Sequence, residues 1–230
     1  MMRTIGIIGG MSAASTELYQ RRLNDGARAR LGGLSQAELI VWSVDFATIA
    51  AMQSAGNWAA AAVRLADIAS RLEHAGAEIL ILATNTMHKV AEPIERAVAI
   101  PFLHIADATG EAVVAAGLKR PGLIATRFTM EEDFYIGRLG KGFGLEPIIP
   151  EATERGDIHR IIYDELCKGV IDEASRSRYV EVADALVRRG ADFLILGCTE
   201  VGMLLNQENV GVPVFDTTLI HADRALDWAC

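Results

Sequence analysis

The sequence predicts an α/β fold of two similar lobes, each a parallel sheet flanked by helices, the pair related by a pseudo-two-fold axis with the active site in the cleft between them. Three observations lead there. Short β-branched runs alternate with longer segments whose apolar residues recur at helical spacing, and strand–helix alternation is the mark of α/β architecture. Most of the short runs lack polar alternation, as strands buried on both faces do. The chain also repeats itself: GAEILILATNTMH from Gly76 aligns without a gap on GADFLILGCTEVG from Gly190.

Taken in order, TIGII, LIVWSV, ILILA, PFLHI, GLIAT, EPIIP, FLILG and VPVF read as strands of four to six residues. Between them, WAAAAVRLADIASRLEHAG and RYVEVADALVRRG carry helical periodicity and end on a glycine, the residue that most readily closes a helix. GIIGGMS resembles GLIATRF at an offset of 122 − 6 = 116, so each lobe has a first strand and a later Gly-Ala-acid strand. No linker rich in Pro, Gly or Ser separates them. The first lobe is expected to comprise residues 1–103 with 216–230, the closing helix crossing back, and the second residues 104–215.

Composition narrows the function. The chain has 230 residues and a formal charge of −8, with no run of Lys or Arg to bind nucleic acid or an anionic membrane. Its apolar runs fall far short of the ~18–20 residues that span a bilayer, and no charged segment followed by an apolar core and a cleavage site is seen. Cys167, Cys198 and Cys230 are odd in number and scattered, which suits reduced thiols. A cytoplasmic protein is expected. His74, His88, His104, His159 and His221 show no metal-binding spacing, and GIIGGMS lacks the spacing and later acidic residue of a dinucleotide loop. Neither a metal nor a nucleotide is expected.

In open parallel sheets, functional groups collect beyond the carboxyl ends of the strands. Met11-Ser12, Thr84-Asn85-Thr86, Thr126-Arg127 and Cys198-Thr199-Glu200 fall at such ends. In the repeat Thr84 stands opposite Cys198 (198 − 84 = 114). Two proton-handling groups on opposite sides of a carbon centre suit inversion, one removing a proton and the other supplying one.

GGMS, TNTMH, PFLHIADAT, TMEEDFY, GCTE and PVFDT together resemble the aspartate/glutamate racemase family over essentially the whole chain, in a form that keeps Thr where most relatives have the first of two cysteines. The resemblance implies a two-lobed, pyridoxal-phosphate-independent amino-acid racemase that acts on aspartate or glutamate, prefers the L enantiomer and forms a homodimer. It makes Cys198 the α-proton base and Thr84 the group on the opposite face. A free thiol ionises near ~8.5, and a suitable pocket can lower that further. An aliphatic hydroxyl is too weak an acid to act as a ready base, though it can donate a hydrogen bond or pass on a proton. Asn85, Thr86 and Thr199 are expected to bind the α-carboxylate, with Met11 and Gln53 as pocket positions by resemblance. Lys168 matches a lysine that holds the distal carboxylate in some aspartate racemases. Glu200 either tunes the thiol or binds the amino group.

Each residue also has a plainer reading: Cys198 as a buried core cysteine, Thr84 as the cap of a helix beginning near His88, Lys168 as a surface charge, Glu200 as an acid in a first helical turn. Cys167 and Cys230 receive no role. Two further functions stay open from the sequence, a one-cysteine decarboxylase or isomerase and a non-catalytic amino-acid-binding relative.

Overall fold

A computed structural model describes residues 2–230, and the chain divides into two compact units, residues 1–105 with 221–230, and residues 106–220. In the first unit β1 (Ile5–Gly9), α1 (Ala13–Leu31), β2 (Leu39–Ser43), α2 (Phe46–Ser54), α3 (Trp58–His74), β3 (Ile79–Leu82), α4 (Ala91–Arg96) and β4 (Phe102–Leu103) follow one another, and α5 (Ile105–Ala115) leads out. The sheet is parallel with order β2-β1-β3-β4. The second unit contains β5 (Pro121–Ala125), α6 (Arg127–Glu131), α7 (Asp133–Phe143), α8 (Ala152–Asp164), α9 (Glu173–Arg188), β6 (Phe193–Gly197) and β7 (Val214–Asp216). Its parallel sheet has order β5-β6-β7. The final helix α10 (Thr217–Ala229) begins in the second unit and continues into the first.

The central strands are apolar throughout because both their faces are covered. Ile5, Ile7, Ile79 and Ile81 pack with Tyr19 and Leu23 of α1 and Ala222, Ala225 and Leu226 of α10. The alternate residues Ile8, Leu80 and Leu82 pack with Leu65, Ile68 and Leu72 of α3. Burying each such Ile or Leu side chain is worth about 1.5–3 kcal/mol. By contrast β2 is a sheet edge, and its Trp42 and Ser43 are exposed.

The Gly-Ala-acid repeat has a structural cause. Gly76 and Gly190 take φ of 104° and 99°, closing α3 and α9 in the left-handed region that favours glycine. The next residues donate back to the same place on each helix, Ala77 to Leu72 and Ala191 to Leu186, both at 3.0 Å. The acid then clamps the first strand of its sheet. Glu78 donates its N–H to the Thr4 carbonyl and accepts from the Thr4 N–H at Oε2, both at 2.8 Å. Asp192 does the same with Arg120, at 3.0 and 3.1 Å. Ile5 therefore pairs with Ile79 and Pro121 with Phe193, the same register in both units.

Two expected strands are diminished. EPIIP is reduced to an isolated bridge between Ile148 and Gly122, flanked by Pro147 and Pro150, which have no N–H for a ladder. PFLHI is short: its ladder pairs are Phe102 and Leu103, Pro101 adds only its carbonyl, which accepts from the Leu80 N–H at 2.8 Å, and α5 starts at Ile105. Among the described residues no helix is long and apolar enough to cross a membrane.

Candidate functional site

In the first unit the chain leaves β1 through a Gly9-Gly10 turn. Gly10 has φ 87°, and a Cβ there would collide with the backbone of Val44. Its N–H donates to Thr16 Oγ1 at 2.7 Å, and Ser12 caps α1 by accepting from the Ser15 N–H at 3.3 Å. Met11, expected as a pocket position, is buried in the core with Val44, Ile49 and Met87. Gln53, near the end of α2, is buried and donates Nε2–H to Met87 Sδ at 3.0 Å.

Thr84, Asn85 and Thr86 follow β3 directly and are all buried. Thr84 is not a helix cap. The chain first forms a 3-10 turn over Thr86–Val90, whose cap position is Asn85, and only then α4. Side chains outside the sheet ladder hold this segment. Ser15 Oγ donates to the Ala83 carbonyl at 3.0 Å, and His88 Nδ1 lies 2.7 Å from the Thr84 carbonyl oxygen.

In the second unit Cys198, Thr199 and Glu200 follow β6 and are buried, with Glu200 only 2% exposed. The Cys198 thiol donates to Glu200 Oε2 at 3.1 Å, and Thr199 Oγ1–H donates to the same oxygen at 2.5 Å. Burial pushes the Cys198 pKa well above its ordinary value, and the nearby Glu200 and Cys167 push it further, outweighing the opposite effect of the Glu200 backbone N–H. The shift is opposite to the lowering that a suitable pocket can give. A pocket lowers a thiol pKa when it offers positive charge, whereas this one offers a carboxylate and a second sulfur. Neighbouring Thr217 Oγ1 donates to the Leu196 carbonyl at 2.8 Å, tying the first turn of α10 to the end of β6. At the end of β5, Thr126 caps α6, and the Arg127 N–H donates to His159 Nδ1 at 3.3 Å.

Lys168 ends a 3-10 turn, Leu166–Lys168. Its side chain is 64% exposed and faces Asp164 at 3.8 Å. Cys167 beside it was given no role from sequence, yet it lies within electrostatic reach of Cys198 and Glu200, as Tyr163 and Tyr179 do. Burial raises the pKa of both tyrosines and of Cys167. The approach of Cys167, from the turn after α8, is not revealed by the local sequence around GCTE. Among the described residues no group of His, Cys, Asp or Glu is arranged to hold a metal ion.

A family model described as Asp/Glu/Hydantoin racemase matches residues 8–225. A crystal structure from Yersinia pestis, classed with the Asp/Glu racemases, is 49% identical, covers 99% of both chains and superposes with a TM-score of 0.91. That of an aspartate racemase homologue from Pyrococcus horikoshii OT3 is 33% identical, again covers 99% of each chain, and has a TM-score of 0.84. The broad specificity amino-acid racemase RacX of Bacillus subtilis (strain 168) is 24% identical over 159 residues, 66% of this chain and 65% of that protein. The chain thus spans just under two thirds of that relative's length.

Proposed function

Because the chain belongs to the Asp/Glu/Hydantoin racemase family, we propose that it racemises an acidic amino acid, aspartate or glutamate, without a cofactor. The observation that carries this reading is the buried Cys198–Glu200 pair at a strand end whose repeat counterpart holds Thr84.

In the proposed reaction Cys198 is the base on one face of the α-carbon. Two anions 3.1 Å apart would repel by about 5 kcal/mol at an effective dielectric of about 20. Before the substrate reacts the pair therefore shares one proton. Moving that proton from sulfur to Glu200 makes a thiolate without creating a second buried anion. The thiolate takes the α-proton, the Thr84 hydroxyl relays a proton from water to the opposite face, and the proton that Glu200 gives up neutralises the hydroxide left behind, so the cycle closes on a thiol and a carboxylate. Asn85, Thr86 and the Thr199 backbone N–H supply donors to the α-carboxylate, where charge accumulates as the proton leaves. Met11 and Gln53 shape the walls. Lys168 would reach the distal carboxylate by exchanging its exposed contact with Asp164, which is replaceable because surface ion pairs contribute little. We further propose a cytoplasmic homodimer.

The L enantiomer is the better substrate in this scheme, because the sulfur base serves it. Enantiomers have equal free energy in water, so kcat/KM must be equal in the two directions. L preference therefore appears as different KM values, or as α-proton exchange without inversion. Proton NMR in deuterium oxide with each enantiomer of Asp and Glu tests the reading. Loss of the α-proton signal from the L acids is expected in the native protein and not in a folded Cys198→Ala variant. Exchange at the native rate in that variant, or none in the native protein, would overturn the proposal.

A further inference from the structure

His88 is buried, 2% exposed, and takes no part in the proton transfers above. Its Nε2 lies 3.2 Å from the Ile105 backbone nitrogen and its Nδ1 2.7 Å from the Thr84 carbonyl oxygen. A backbone N–H can only donate, so Nε2 must accept. A carbonyl can only accept, so Nδ1 must carry the proton. The two bonds together define a neutral ring in a single tautomer. It bridges the carboxyl end of β3 to the first residue of α5. His104 packs edge-on against it with centroids 4.4 Å apart, and Phe102 at 5.6 Å. One residue earlier, Ser15 holds the Ala83 carbonyl. Two successive carbonyls beyond the strand are therefore pinned by side chains.

We infer that His88 is a positioning residue for the Thr84–Thr86 segment. The Thr84 carbonyl shares a planar trans peptide with the Asn85 N–H, so fixing the direction of one fixes the other. The hydrogen bond from Nδ1 thereby aims the Asn85 backbone donor and sets the backbone that carries the Thr84 hydroxyl. The Nε2 bond ties the same ring to α5, so the segment cannot rotate without breaking a contact to a second element. This rests on the reading of Asn85 and Thr84 as substrate-facing groups. A donor aimed at a carboxylate whose charge grows during proton removal contributes more in the transition state than in the bound complex. Misaiming it lowers kcat more than it raises KM.

The test compares His88→Asn, which can keep a donor near Nδ1, His88→Gln, which can keep a polar group near Nε2, and His88→Leu, which keeps neither. With L-Asp and L-Glu, His88→Leu is expected to lose at least about tenfold in kcat for α-proton exchange, with a smaller change in KM. His88→Asn should recover to within about threefold of the native rate, and His88→Gln should not. If the leucine variant fails to fold, the Asn–Gln contrast still decides. Native kinetics in His88→Leu, or equal impairment of folded Asn and Gln variants, would overturn the inference. A 15N–1H correlation spectrum reads the positioning without activity. His88 should show a proton on Nδ1, and the Asn85 amide should shift more in His88→Gln than in His88→Asn. A proton on Nε2 instead, or an Asn85 amide indifferent to all three changes, would overturn the inference. An inactive native protein with the expected spectra would overturn only the proposed function.

Discussion

The Cys198 thiol and the Glu200 carboxyl lie 3.1 Å apart in a buried pocket, with Thr199 donating to the same carboxyl oxygen. After burial, Glu200 is the largest influence raising the thiol pKa. Its replacement has two opposite consequences.

In Glu200→Gln the charge next to the sulfur is gone, so the thiol pKa falls and more thiolate is present at a given pH. Alkylation of Cys198 by iodoacetamide at pH 8, followed peptide by peptide to separate it from exposed Cys230, should speed up. Racemisation should nevertheless fall by about 10²-fold or more, because burial still holds the thiol pKa above its ordinary value and no carboxylate is left to take the proton when substrate binds. A variant with native activity would mean that Glu200 takes no proton, and unchanged alkylation would mean that it does not govern the thiol.

A second buried titratable group makes stability depend on pH. His221 on α10 is fully buried and lies 2.9 Å from the Leu103 carbonyl through Nε2 and 2.8 Å from the Tyr19 hydroxyl through Nδ1. The carbonyl requires Nε2 to donate, so the neutral ring accepts from Tyr19 at Nδ1. Burial lowers its pKa to about 4, with the Leu103 contact opposing in part. The unfolded chain, with a pKa of about 6.5, takes up a proton that the folded chain refuses. Stability is therefore full above about pH 6.5 and is lost as the pH falls toward 4, by roughly 2–3 kcal/mol at pH 4.5. Urea unfolding at pH 7.5 and 4.5 should show His221→Gln losing less stability than the native protein by that amount. Equal losses in the two would assign the pH dependence to other groups.

What could be read in the sequence was what depends on neighbours along the chain. The Gly-Ala-acid repeat was visible as a repeat because closing a helix and clamping a strand each require local residues, as Gly76 with Glu78 and Gly190 with Asp192 show. Strand ends followed from the apolar runs, which placed Thr84 and Cys198 at equivalent positions. The direction of the Cys198 pKa was not legible because it depends on burial, on how Glu200 is turned and on the approach of Cys167 from another element. The link from His221 to Leu103 spans 118 positions and left no trace in local spacing. EPIIP looked like a strand by apolar content, but its two prolines removed the donors that a ladder needs.

Thr84→Cys should strengthen processing of the D enantiomer. Thr84 is buried, 7% exposed, at the end of β3, and its hydroxyl does not ionise near neutrality. A thiol at that position can become an anion and, in the proposed scheme, supply a second base for the face opposite the one assigned to Cys198. Thr and Cys are similar in size, and the cap position of the following turn belongs to Asn85, so no helix cap is lost. The melting temperature should therefore stay close to the native value. The new thiol also differs from Cys198 in its neighbours: Thr84 is followed by Asn85 and Thr86, where Cys198 is followed by Thr199 and Glu200, so no carboxylate stands two residues on. The measurement is the initial rate of α-proton exchange and of inversion from D-Asp and D-Glu, with a thermal melt alongside. A rise of about tenfold or more in D-enantiomer exchange is expected. A folded variant that gains neither exchange nor inversion would mean that residue 84 does not act on the opposite face of the α-carbon, and the two-sided scheme would lose its second partner.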